Sequence, residues 1–290
     1  MKTLTAKLAS AFTAAALLTG CSANVSINDD KNYDEQLTDT KHFTIDDPTD
    51  YSAIDINLKT GGITVKHTDD KTPSMDLECH VFADSEQTCQ DISNHITALC
   101  RQKNGKMQIS IVEKVSGSSV EDWIKENDEK CRVELAAVLN IPSAIDNISA
   151  NVDTGNITFD SISGKMNAYV DIGNITCTGA AFTSDSYIEC DTGNITAANC
   201  TYDALTMLKT DTGNIAFGPP AADSTGDAAL TLNNGTIDIK NSSVYKITKG
   251  RPEDGSVTMK ASKCTVTVSI RSGKINMGGD QEDTTDNSKE

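Results

Sequence analysis

Four copies of one acidic triplet recur in the chain: Asp153-Thr154-Gly155, Asp171-Ile172-Gly173, Asp191-Thr192-Gly193 and Asp211-Thr212-Gly213. An Asp-Thr-Gly triplet raises the chemistry of two carboxylates sharing one proton, which requires them to sit about 3 Å apart. Each Gly is followed by Asn, as Asn156, Asn174, Asn194 and Asn214. Asp and Asn oxygens around one turn also raise a calcium site, which takes six to eight oxygen ligands. The tandem spacing decides against the first chemistry. Counting on through fainter copies at Gly235, Gly255 and Gly273, the Gly-to-Gly steps from Gly155 are 18, 20, 20, 22, 20 and 18 residues. A near-constant period marks a repeat architecture. Stacked repeats would place successive Asp residues about 4.8 Å apart along a ladder rather than in one pocket. No catalytic residue is assigned. Asp153, Asp171, Asp191 and Asp211 are read as caps of their own turns, with calcium binding along this column as the functional alternative. Like charges about 5 Å apart repel by roughly 0.8 kcal/mol in water. The column must therefore face solvent, accept backbone N–H bonds or hold cations.

The residues around each triplet define the elements that carry it. Two residues after the Gly lie Ile157, Ile175, Ile195, Ile215, Ile237, Val257 and Ile275. Three residues before it lie Val152, Val170, Cys190, Thr210, Leu232, Pro252 and Ile270. Residues two apart on a strand share a face, so these columns are expected to point inward. Gly155, Gly173, Gly193 and Gly213 supply the turn, where positive φ is cheap only for glycine. The four following Asn residues are expected to stack as an amide ladder. Each repeat thus offers two strands with a turn at each end. The expected fold is all-β: a single-stranded parallel β-helix, or β-solenoid, right-handed by the crossover rule, with an irregular N-terminal section holding one or two short helices. Thr60-Gly61-Gly62-Ile63-Thr64-Val65 matches the repeat phrase early, with Gly62 in the place of Asn.

Residues 1–20 read as a signal peptide, with Lys2 and Lys7 ahead of an apolar run too short to span a bilayer. Leu18-Thr19-Gly20-Cys21 resembles the bacterial lipobox, which makes Cys21 the expected lipidated residue. Residues 21–42 read as an acidic flexible tether, 43–147 as the irregular part of the solenoid, 148–277 as the regular repeats and 278–290 as a disordered acidic tail. Within 43–147, Cys89, Ile92, Ile96, Leu99 and Cys100 fall at helical spacing over 85–100. Ser119-Val120-Glu121-Asp122 can cap a short helix carrying Trp123.

The chain has 25 Lys and Arg against 42 Asp and Glu, a formal charge of −17. That balance argues against nucleic acid, which rewards basic patches. It suits a solvated exported protein. Nine cysteines are present, eight without Cys21. An even count in an exported chain permits disulfides, and Cys177 with Cys200 is one candidate between neighbouring coils. No Cys-x-x-Cys occurs. The Asn-Ile-Thr sequons at Asn156, Asn174 and Asn194 are read as by-products of the repeat.

The lipobox, the acidic tether, the early Gly-Gly-Ile-Thr-Val rung and the tandem Asp-Thr-Gly-Asn-Ile-Thr rungs together resemble the bacterial putative-adhesin family. The resemblance covers roughly residues 43–277. It implies a β-helix at the cell surface with no established catalytic residues. The expected function is non-catalytic: a lipid-anchored surface module, facing out of the cytoplasm, that binds an extracellular protein or glycan. A cell-envelope stress sensor acting through a protein partner is the alternative, and a carbohydrate-active enzyme a remote one. No cofactor is expected apart from the calcium alternative.

Overall fold

The fold was analysed in a computed structural model of the chain, which describes residues 33–45, 51–127 and 130–278. The expectations for residues 1–20, for Cys21 and for most of the tail lie outside the described residues.

Seven strands form the body: β2 (Ala53–Thr68), β7 (Asn147–Asp160), β8 (Ser163–Thr178), β10 (Ser186–Ala198), β12 (Thr206–Phe217), β13 (Asp227–Ile239) and β16 (Cys264–Met277). They pair in parallel in that order, and the glycines stand opposite one another: Gly61, Gly155, Gly173, Gly193, Gly213, Gly235 and Gly273. Each strand changes phase at this column. Ile148, Ala150 and Val152 are buried before it, Ile157 and Phe159 after it. A strict two-residue alternation would turn one flank outward. The residue before the corner, Asp153, takes no place in the pairing, which resumes at Thr154. The facing residue, Asp171, is skipped likewise and the register is unchanged, so this shared break in the pleat, and not an inserted residue, brings both flanks onto the same core. Positive φ at the corner, +149° at Gly155 and +147° at Gly173, is what demands glycine there. The Ile63–Ile157–Ile175–Ile195–Ile215–Ile237–Ile275 row is buried throughout. Each such side chain contributes about 1.5–3 kcal/mol.

A second, short parallel pair, β9 (Ala181–Phe182) and β11 (Thr201–Tyr202), closes the connections, β9 also pairing with Ser163 and Gly164. Its inward residues Phe182 and Tyr202 stack at 5.4 Å, and Tyr202 meets Phe217 at 5.6 Å.

The sheet is all-β in content but mixed in direction and not closed, which corrects the all-parallel reading. At one end β3 (Ser74–Ala83) pairs antiparallel with both β1 (Glu35–Thr44) and β6 (Cys131–Pro142), and β6 is parallel to β2. The hairpin β4 (Ile96–Lys103) and β5 (Lys106–Glu113) continues the other half of β2. At the far end β14 (Lys246–Arg251) and β15 (Ser256–Ala261) add antiparallel to β16. Gly255 is therefore not in the glycine column. It closes a 3-10 turn over Pro252–Asp254 at φ +74° and reverses the chain, so Gly235 stands opposite Gly273.

Two further boundaries move. Residues 35–42, expected in the tether, are in β1, because Leu37 and Phe43 pack against the core. Lys41 Nζ donates to the carbonyl of Ile96 at 2.8 Å, and Asp39 accepts from the Ser93 hydroxyl at 2.7 Å. The helix expected over 85–100 is α1, Glu86–His95, capped by Ser85. Leu99 and Cys100 belong to β4, where the Asn104-Gly105 turn returns the chain as β5. The second short helix, α2 (Val120–Glu126), is capped by the Ser119 hydroxyl and carries Trp123.

Where α1, β5 and α2 meet, Glu113 is buried. It accepts from the backbone N–H of Ser116 at 2.5 Å and of Val115 at 2.9 Å, and lies 2.8 Å from His95 Nδ1. His95 stacks on Trp123 at 4.7 Å. Burial alone raises the Glu113 pKa. The Ser116 and Val115 N–H groups, the Ser116 hydroxyl and His95 outweigh it and bring the pKa down to about 2. A depressed carboxyl pKa stabilises the fold above the unfolded value near 4.5 and loses that contribution as pH falls towards 2. Glu113→Gln is expected to lower the melting temperature at neutral pH and to flatten its pH dependence between those values. A wild-type melting curve that stays level from pH 5 to pH 2 would contradict this.

Candidate binding surface

The residues singled out by the repeat divide into a ladder, a corner column and buried thiols. Asn174 Nδ2 donates to Asn156 Oδ1 at 2.9 Å, Asn194 to Asn174 at 2.8 Å and Asn214 to Asn194 at 2.8 Å. The amides thus form one continuous row, ending where Thr236 stands opposite Asn214.

The Asp column lies at the corner beside it. Asp153 and Asp171 are exposed, Asp191 and Asp211 half-buried. The engaged carboxylates bond to neighbouring rungs. Tyr169 Oη donates to Asp191 Oδ2 at 2.8 Å, and Asn233 Nδ2 donates to Asp211 Oδ1 at 2.8 Å. The expected own-turn cap is replaced at these two positions because the corner backbone already lies in the strand pairing. Among the described residues, no group of three or more His, Cys, Asp or Glu is placed to hold a metal ion. The four Asp residues follow one another along the stack and do not converge.

The expected Cys177–Cys200 bridge is absent. All eight described cysteines are thiols. Cys200 Sγ donates to the carbonyl oxygen of Cys177 at 3.4 Å, so it meets backbone and not sulfur. Burial holds Cys177 well above the ordinary thiol range and pushes Cys79 up to about 12. These are packing residues, inert because the thiolate is the reactive form.

The outward face ahead of the glycine column carries what the repeat motif did not announce. Tyr187 stands directly opposite Met207, and Tyr169 opposite Glu189, two positions along β10 from Tyr187. Leu205 lies two residues before Met207. Tyr169, Tyr187 and Leu205 are 36%, 37% and 47% exposed. The island is rimmed by Asp191, Glu189 and Lys209, the last two forming an ion pair. Tyr169, bonded to Asp191 and partly desolvated, has its pKa pushed up to about 12. Burial and a bond to Glu189 raise that of Tyr187. Both remain neutral, and the Tyr169 hydroxyl is held by Asp191. Single exposed apolar residues need no account, but a contiguous patch with a polar rim marks an interaction surface. A signal for it was present in the sequence: Tyr169 and Tyr187 fall four and six residues before Gly173 and Gly193, out of step with the buried column.

No protein-family model matches the chain, and no curated protein matches it. Solved structures similar to it include a putative adhesin from Bacteroides fragilis, 12% identical over 84% of this chain and 97% of that one, with a TM-score of 0.42. A putative cell adhesion protein from Clostridium sporogenes is 12% identical, covers 83% and 97% of the two chains and has a TM-score of 0.30. A putative lipid binding protein from Parabacteroides distasonis is 12% identical over 82% and 96%, with a TM-score of 0.28.

Proposed function

We propose that the chain is a non-catalytic binding module of the cell envelope, exported by its leader and held at the membrane by lipid on Cys21. Its parallel strands wind as a right-handed β-solenoid whose flat outward face meets an extended extracellular protein or glycan. The observation that carries this reading is the Tyr169–Tyr187–Met207–Leu205 island in the middle of that face. Aromatic rings supply large contact area at low entropic cost, and here the Tyr169 hydroxyl is anchored to Asp191, so binding need not order that ring. The rim carboxylates add directional acceptors. No helix among the described residues is long and apolar enough to cross a membrane.

The test is an array of glycans and extracellular proteins probed with the purified chain and with the Tyr169→Ala/Tyr187→Ala variant. Signals made by the wild type are expected to fall about tenfold or more in the variant, as for truncated aromatic anchors, with its melting temperature nearly unchanged. Equal signals from both proteins would remove the island from the binding function.

A further inference from the structure

We propose that the free edge of β14 is a second docking surface, which takes an extended segment of another polypeptide with alternating acidic and apolar residues as an added strand. Among the described residues, β14 is the last strand of the sheet and pairs only with β15. All six of its residues are exposed. Its outer row of backbone groups is a template for a further strand.

Two features specify the partner. The first is a row of cations. Lys246 stands opposite Lys260, Lys249 opposite Thr258 and Arg251 opposite Ser256. Directly opposed residues share a face, and Lys260 and Ser256 are exposed, so Lys246, Lys249 and Arg251 all point outward. Simple alternation would put Lys249 on the other side from Lys246. A register shift between Ile247 and Lys249 returns it to the outward face, which is what a bulge does to a side chain. Among the described residues, only Arg251 of the three has an acid near, Glu253 at 4.0 Å. The whole end of the molecule shares this sign: residues 240–276 hold eight Lys and Arg against two Asp and Glu, while the rest of the chain holds 17 against 40.

The second feature is on the inner side. Ile247 stands opposite Met259, which is fully buried, yet Ile247 itself is 45% exposed, with no strand beyond it among the described residues. An added strand would cover Ile247 with an apolar residue and set carboxylates against the cations on alternate positions. The chain's own acidic end, residues 279–290, matches the charge but contains no apolar residue, so an external segment fits better. A simple polyanion would use the cations and leave both Ile247 and the edge amides unmet. Edge lysines also guard sheets against aggregation, and that role alone predicts no ligand.

The experiment measures fluorescence anisotropy of a labelled, end-blocked eight-residue peptide of alternating Glu and Val with the purified chain. Saturable binding is expected. It should weaken about tenfold for Lys246→Glu/Lys249→Glu, as for loss of paired charges across an interface. Lys274→Glu, an exposed cation on the other flank of β16, should leave it unchanged. A peptide N-methylated at alternate residues should also bind about tenfold more weakly, since it cannot complete the strand pairing. Thermal unfolding checks that the variants fold. In the wild type, peptide should slow amide exchange within 246–251. Any one of four results overturns the proposal: no binding at millimolar peptide, equal binding by the charge-reversed variant, equal competition by polyglutamate of the same length, or slowed exchange only outside β14. Tighter binding on neutralising Asp280, Glu282 and Asp283 would assign the edge to the chain's own end and overturn the external partner.

Discussion

Replacing Gly193 with alanine is expected to cost about 4 kcal/mol, close to the limit a domain of ordinary stability tolerates. Two costs coincide at this residue. Its φ is +144°, a region that residues with a Cβ enter only with strain of about 1–3 kcal/mol. A Cβ built there falls onto the carbonyl oxygen of Gly173 and lies 3.2 Å from Cys190 Sγ. Gly173 is itself pinned in the pairing between β8 and β10, so it cannot withdraw without breaking the ladder, and overpacking adds a further 1–3 kcal/mol or so. Gly62 is the control within the same phrase. It has no positive φ, and a Cβ there meets nothing within 4 Å. Gly62→Ala is expected to be neutral or to stabilise by about 0.5 kcal/mol through the unfolded chain. Urea unfolding of the two variants measures both. Similar midpoints for Gly193→Ala and the wild type would mean that the corner yields, and the account of the glycine column would fail.

Phe182→Ala is expected to cost about 3–5 kcal/mol, the usual range for a buried phenylalanine. Phe182 is fully buried in the two-residue strand β9. It closes the stack with Tyr202 and, through it, Phe217. Short connecting strands have few hydrogen bonds to hold them, so this stack is what keeps the connections on the core. Tyr202 provides the contrast. Its hydroxyl is buried without a conventional hydrogen-bond partner and has the weakly polar Cys200 sulfur beside it. Tyr202→Phe keeps the stack and removes a desolvated polar group, a gain of about 1 kcal/mol. A melting temperature that falls in Tyr202→Phe as it does in Phe182→Ala would show that the hydroxyl is satisfied and the stack argument incomplete.

Much of the body was legible in the sequence because its determinants are local. A residue two positions after each Gly is inward whichever way the strand is placed, so the Ile157-to-Ile237 row could be read from spacing. The Asn ladder followed from the same register, since equal repeats bring equal side chains together. The corner glycines were legible too, because only glycine accepts their φ. The Gly255 copy misled for the same local reason. Its phrase is that of a rung, but the tight turn at Ser262-Lys263 that follows folds β15 back antiparallel on β16. The helix over 85–100 was overextended because Leu99 and Cys100 fit a 3.6-residue period as well as a strand, and the choice was made by β5 returning alongside.

The sequence by itself determined the all-β class, the glycine corners, the inward rows and the amide ladder, each of which depends on residue type and spacing along one strand. Only the tertiary structure decided which ends are antiparallel, that Glu35–Thr44 is an edge strand, that Cys200 meets a carbonyl rather than Cys177 sulfur, and that Tyr169, Tyr187 and Met207 adjoin. The pairings at the N-terminal end and across the tyrosines join residues 20 to 74 positions apart, where the free energy of a contact is set by the partner and not by the local chain.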